Sequence, residues 1–290
     1  MPLWQAIVLA VVQGLTEFLP ISSTAHLALV PWLFRFEDPG LTFDVALHLG
    51  TLAAVLLYFY RTWVDLLLAG FGIRKPVEDS ENSESSEKRP AALQLARNPG
   101  LLWLLVVATI PAAVAGWLLQ EQVATSWRHP VVMGIALIAV ALLMAWGEKV
   151  SQGRKEMTSV SLADSLWIGC SQALALVPGV SRSGITMTAA LLRDFNRAAA
   201  ARFSFLLSTP IIAGAALKSC LDLYHQGVPA DMWWPLLVGV AVSGIVGYAT
   251  ISFLLKFLQF GTFKIFIYYR IILGIIVLAL AFFLRLEAVN

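Results

Sequence analysis

Apolar residues run along this chain in long blocks, not as one stripe per helix. Six blocks, at about 43–60, 100–120, 130–147, 200–218, 235–257 and 268–285, are long enough to cross a hydrocarbon core as helices. A crossing takes about 20 residues. Two further apolar regions, 3–34 and 162–192, are interrupted at the centre by polar turns that contain proline. Each half is short for a span, so each region predicts a helix–turn–helix that enters and leaves the membrane on one side. Such backbone is tolerated at depth only inside protein or against a wet cavity. Residues 74–98, with the run RKPVEDSENSESSEKRP, have no apolar period and predict a flexible aqueous loop.

The two interrupted regions resemble each other. At an offset of 159, Gln13 falls on Gln172, Leu15 on Leu174, Ile21 on Val180, Ser22 on Ser181, Ser23 on Arg182 and Thr24 on Ser183. Each half of the chain then holds one hairpin and three spans. Three is odd, so the second copy is inserted upside down. The predicted fold is an all-α polytopic membrane protein, with six spanning helices plus two re-entrant helix-turn-helix hairpins in an inverted-topology repeat. It is a single membrane domain over 1–290, with a first repeat over 1–150 and a second, inverted one over 160–290. Repeats of this kind place a site near the midplane, where the broken helices meet.

Composition agrees. The chain is 59% hydrophobic and 13% charged, with mean hydropathy +0.78. A soluble domain needs about twice that share of charge. No basic, aromatic-interleaved patch suggests nucleic acid. The two cysteines, Cys170 and Cys220, lie in apolar segments and predict buried, inert thiols rather than a disulfide framework. The opening MPLWQAIVLA has no basic stretch of the kind that begins a cleaved signal peptide. Basic residues divide 15 to 4 between the two faces, Arg270 among the fifteen, with Arg182 left inside the membrane. The richer face is expected in the cytoplasm. Both termini and the mouth of the first hairpin then face outward, and the second hairpin opens from the cytoplasm.

The turns PISSTAH (Pro20–His26) and PGVSRSG (Pro178–Gly184) carry the candidate chemistry. A proline ends one helix and a serine can cap the next. Helix N-termini with free N–H groups suit anions, phosphate above all. Ser22, Thr24, Ser181 and Ser183 add hydroxyl donors, and Arg182 a planar cation matched to phosphate. The alternative for Arg182 is a structural ion pair with Glu17. Gln13 and Glu17 lie four apart on one helical face, so a carboxylate and an amide oxygen could share a Mg²⁺ or Ca²⁺ ion with substrate phosphates. Ser23 and His26, three apart, make a candidate hydroxyl–imidazole pair. His48 reads as a packing histidine.

The segments QGLTEFLPISSTAH and PGVSRSG closely resemble the two signatures of the undecaprenyl-pyrophosphate phosphatase family, also known as the bacitracin-resistance proteins. The resemblance extends over essentially the whole chain. It implies a bacterial inner-membrane enzyme, dependent on a divalent cation, that removes the terminal phosphate from a C55 lipid pyrophosphate for reuse in cell-wall polymer synthesis. It implies functional roles for Glu17, Ser23, His26 and Arg182, with Ser22, Thr24, Ser181 and Ser183 around them. The family's first motif allows Glu or Gln where Gln13 stands, and the Gln leaves Glu17 as the main anionic ligand. The resulting mechanism has Ser23 attacking and His26 as base or acid, with His26 or water as alternative nucleophiles. The rival reading is an inverted-repeat transporter that flips the phosphorylated polyprenol. The partners expected are the lipid substrate and membrane lipids, and the site is expected to open to the periplasm. The sequence sets no oligomeric state.

Overall fold

The computed structural model describes residues 1–36, 40–73, 98–119, 122, 127, 129–226 and 230–283. The loop predicted over 74–98 lies outside the described residues except for Asn98. Among the described residues there are eleven α-helices and no strand beyond one isolated bridge between Lys155 and Phe195. In chain order they are α1 (Leu3–Thr16), α2 (Ser23–Phe34), α3 (Gly40–Tyr58), α4 (Tyr60–Gly70), α5 (Leu101–Leu118) and α6 (Pro130–Val150). Then come α7 (Leu162–Ala173), α8 (Arg182–Leu192), α9 (Arg197–Gln226), α10 (Trp233–Phe257) and α11 (Lys264–Phe283).

Five helices are long and apolar enough to span a bilayer: α5, α6, α9 over Arg197–Lys218, α10 and α11. The block at 43–60 behaves differently from the expectation of a straight span. It breaks at Phe59 and turns by 70° into α4. Phe59 leaves helical geometry at φ −101° and ψ 18° while its ring stays buried beside Phe205. Beyond it, α4 carries Arg61 and Asp65 and buries only Thr62, Leu66 and Ala69. That one-sided pattern suits a helix lying on a surface. The Trp103 indole N–H of α5 donates to the Gly70 carbonyl at 3.0 Å and pins the end of α4.

The interrupted regions fold as short helix pairs. α1 and α2 have 14 and 12 residues, α7 and α8 have 12 and 11. At 1.5 Å per residue these are about 16–21 Å long, short of a core of about 30 Å. The surface is inverted relative to a soluble protein. Trp117, Ile245 and Phe282 are each more than 70% exposed, whereas Gln13, Ser22, Asp164, Ser165 and Arg270 are fully buried. An apolar exterior, with polar side chains drawn inside among a largely apolar core, is the arrangement that lipid favours. Trp103, Trp146, Trp233 and Trp234 are exposed near the ends of α5, α6 and α10, as interfacial anchors are. Cys170 and Cys220 are also exposed, against the expectation of burial: each lies on the outward side of its helix, where an apolar thiol is at home.

Small residues set the closest packing. A Cβ on Gly50 of α3 would lie 2.0 Å from the Ser243 hydroxyl of α10, and one on Gly169 of α7 would lie 2.3 Å from the Ala108 carbonyl of α5. α10 packs along α1 and α3, α5 along α7, and α6 along α11. Lipid gives no hydrophobic drive between helices, so such close approach does the work.

A charged cluster ties the start of α7 to α8. Asp164 is fully buried and accepts from Lys155 Nζ at 3.0 Å, Arg193 Nε at 2.7 Å and the Ser161 hydroxyl at 2.7 Å. Ser161 and Asp164 also cap α7 reciprocally. Burial alone would push this carboxyl up, but Ser161, Arg193 and Lys155 more than reverse it and hold it at about 2.

Candidate active site

The two helix breaks meet inside the bundle. Ser183 Oγ of the second turn donates to the Leu19 carbonyl of the first at 3.0 Å. The Gly179 N–H donates to Thr24 Oγ1 at 3.4 Å. The turns share a backbone peculiarity. Ser22 has φ 78° and ψ 98°, and Ser181, which aligns with it at the offset of 159, has φ 69° and ψ 116°. Positive φ is uncommon outside glycine and costs on the order of 1–3 kcal/mol, so it persists only where the surroundings impose it. Ser181 Oγ caps α8 by accepting from the Gly184 N–H at 3.1 Å. Ser22 makes no such cap, and its hydroxyl is instead 3.1 Å from that of Thr24.

Glu17 is the hub. Its Oε2 accepts from Ser23 Oγ at 2.7 Å and from Gln13 Nε2 at 3.0 Å, and His48 Nε2 lies 3.5 Å away. Its Oε1 is paired with the Arg182 guanidinium, which also donates to the Ser208 carbonyl at 3.4 Å. At the offset of 159, Glu17 falls on Leu176 and Ser23 on Arg182. The first interrupted region thus supplies the acid and the hydroxyl, and the second supplies the cation that faces them. The ion pair considered as an alternative for Arg182 is present. Arg182 nonetheless keeps 16% of its side chain exposed, toward the cavity it lines.

That cavity is bounded on the polar side by Glu17, Ser22, Ser23, Thr24, Ser181 and Arg182. Its far wall is apolar: Ala112 of α5, Leu176, and Ile211, Ile212 and Ala215 of α9. Ala215 is the exposed member of this wall. His48, expected to be a packing residue, also lines the cavity. Its Nδ1 donates to the Asp44 carbonyl one turn back, at 2.7 Å, which leaves Nε2 facing Glu17.

His26 sits elsewhere than beside the Ser23 hydroxyl. Its Nδ1 is 2.6 Å from the Ser22 carbonyl and its Nε2 is 2.6 Å from the Tyr269 hydroxyl, with the two rings stacked. A carbonyl can only accept, so Nδ1 carries a proton and Tyr269 can donate to Nε2. The Ser23 hydroxyl already belongs to Glu17. Arg270 is the larger surprise. Counted from sequence among the cytoplasmic charges, it is fully buried. It donates to the Pro20 carbonyl of one turn at 3.1 Å and to the Gly179 and Val180 carbonyls of the other at 3.0 Å each. Its Nε reaches the Leu137 carbonyl of α6 at 3.2 Å. One guanidinium therefore collects the carbonyls that both breaks set free.

Among the described residues, no three of His, Cys, Asp and Glu gather into a metal site. The group that does fit an oxygen-seeking cation is Glu17 with Gln13. Gln13 Oε1 is a buried acceptor with no partner, beside a carboxylate. Such a pair suits an ion that completes its shell with phosphate oxygens.

Fold and site together define a multi-pass membrane protein with an acid, a serine and a guanidinium gathered in a cavity that has one polar and one apolar wall. The profile of the family described as "Bacitracin resistance protein BacA" matches residues 6–276. The undecaprenyl-diphosphatase of Pelotomaculum thermopropionicum is 46% identical over 281 residues, covering 97% of each chain. That of Moorella thermoacetica is 46% identical over 285 residues, covering 98% of this chain and 100% of its own. The undecaprenyl-diphosphatase of Desulforudis audaxviator is 46% identical over 278 residues, covering 96% and 97%. The chain belongs to the bacitracin resistance protein BacA family.

Proposed function

We infer that this protein is an undecaprenyl-diphosphatase: it hydrolyses undecaprenyl pyrophosphate to undecaprenyl phosphate and phosphate. The observation that carries the chemistry is the Ser23 hydroxyl bonded to Glu17, with Arg182 on the carboxylate's other oxygen. Ser23 Oγ attacks the terminal phosphorus, and its proton passes to Glu17, the acceptor it touches. The bond from that phosphorus to the bridging oxygen breaks, and undecaprenyl phosphate leaves. Water then cleaves the phosphoserine, releasing phosphate and restoring the hydroxyl. Arg182 and the hydroxyls of Ser22, Thr24 and Ser181 hold the headgroup, while Ser183, expected among them, is buried outside the cavity lining and ties the two turns through the Leu19 carbonyl. His26 acts on the turn itself, fixing the Ser22 carbonyl against Tyr269. A Mg²⁺ or Ca²⁺ ion, when bound, neutralises headgroup charge, and Glu17 and Gln13 would hold it.

A carrier that only moved the lipid across the bilayer would have no use for a serine bonded to a carboxylate, so hydrolysis is the reading retained. For the architecture, six spans and two re-entrant hairpins in inverted repeats accord with the packing. Exchanging repeats turns the α1–α10 contact into α7–α5 and α1–α2 into α7–α8, and α3–α9 and α6–α11 each map onto themselves. The bent α3–α4 pair supplies the sixth span. The cytoplasmic face is the basic one, the termini lie outside, and the headgroup enters from the periplasmic side.

Phosphate release from C55 pyrophosphate by the purified protein in detergent, with and without chelator, is the test. Activity that disappears in chelator and returns with Mg²⁺ or Ca²⁺, with Glu17→Gln needing more cation for any residual rate, is the expected result. Full activity after exhaustive chelation would remove the ion from the mechanism. No phosphate release under any condition would remove the enzyme.

A further inference from the structure

The geometry points to Gln172 as a headgroup-binding residue: we propose that its side-chain amide donates to the diphosphate of the lipid substrate. Gln172 sits in the last turn of α7, is 2% exposed, and lines the same cavity as Glu17, Ser23 and Arg182. Neither its Nε2 nor its Oε1 has a hydrogen-bond partner. Buried amides in native proteins are almost always bonded, because an unmet one carries its full desolvation cost. A side chain held in that condition beside a ligand cavity is waiting for the ligand.

The repeat says why the partner is absent. Gln172 is the counterpart of Gln13, whose Nε2 donates to Glu17 four residues on. Four residues after Gln172 stands Leu176, which accepts nothing. The second repeat has kept the amide without the acid. Its N–H groups are therefore free for an acceptor that arrives from outside, and the substrate brings several phosphate oxygens. A neutral amide adds a donor to the cavity that Arg182 also lines, without adding charge. The Oε1 can in turn accept from a protonated phosphate oxygen or a water carried with the headgroup.

The inference rests on the cavity being the headgroup site, so the test separates the two. The full chain in detergent is assayed on C55 pyrophosphate as wild type, Gln172→Met, Gln172→Glu and Arg182→Lys. Gln172→Met should raise KM roughly tenfold or more, the scale of one hydrogen bond to a charged group. Its thermal unfolding midpoint should be unchanged or higher, because an unbonded amide has given way to an apolar chain of like length. Gln172→Glu should raise KM further, and more steeply as pH rises and the new carboxyl ionises against the phosphates. Wild-type KM in Gln172→Met overturns the proposal. So does a lowered midpoint with kcat reduced and KM unchanged, which would mark a structural residue. If the Met variant does not fold, wild-type KM in Gln172→Glu overturns it equally. Should Arg182→Lys impair the enzyme while the Gln172 variants do not, this inference falls alone. If none of the three changes kinetics, the cavity is not the headgroup site.

Discussion

Two arginines near the turns illustrate how differently the same side chain can be used. Arg182 faces a carboxylate and a cavity, and its place in a turn of hydroxyls identified it from sequence. Arg270 faces only carbonyls, and no local pattern marks it. Near the start of an apolar helix it looks like an interfacial charge, and only the tertiary fold brings Pro20, Gly179 and Val180 to it. His48 was read as a packing histidine for a related reason, since its neighbour Glu17 is 31 positions away in sequence. Gln13, Glu17 and Ser23 were legible because they share one hairpin. Arg270→Met should be worse for the fold than for any single catalytic step. It strands several buried carbonyls at about 1–3 kcal/mol each. The expected outcome is a thermal unfolding midpoint in detergent well below wild type, with activity lost in proportion to folded protein. A stable, inactive variant would instead make Arg270 part of the chemistry.

At the scale of elements, helix positions followed directly from apolar blocks and from the two proline-bearing breaks. The exception was the bend at Phe59, which no proline or glycine announces. Beyond it α4 carries Arg61 and Asp65 on a helix that sends only Thr62, Leu66 and Ala69 inward and packs on α5, a contact that no local pattern in the sequence shows. The Asp164 cluster was equally invisible, because its members come from three segments. Its sign with pH can be worked out. A carboxyl held at about 2 when folded, against 3.8 ordinarily, stabilises fully above the ordinary value. That contribution fades as pH falls through the interval toward about 2. Wild type should therefore lose thermal stability over roughly pH 4 to 2, and Asp164→Asn, less stable at neutral pH, should lose less over the same interval. Parallel pH profiles for the two proteins would show that the cluster contributes nothing.

For the whole molecule, orientation is the open quantity, and the exposed cysteines decide how to measure it. Cys170 and Cys220 both lie on the outer surface and must be removed first. Single cysteines at Phe36 and Ser83 in that background, treated with a membrane-impermeant thiol reagent on intact spheroplasts, should be labelled and spared respectively. The reverse pattern would invert the protein and move hydrolysis to the cytoplasmic face.

The apolar wall of the cavity, from Ala112 through Ile211 and Ile212 to the exposed Ala215, has a consequence of its own. The polyprenyl substrate proposed for the site resides in the bilayer, and this wall offers its tail an apolar surface to lie against. Encounter between enzyme and substrate is then a search in two dimensions. Its rate follows the mole fraction of substrate in the bilayer, and added inert lipid slows turnover even when the total amount of substrate is fixed. Product diffuses back into the same sheet of lipid from which the substrate came, so the membrane is at once the solvent, the reservoir and the route of exit.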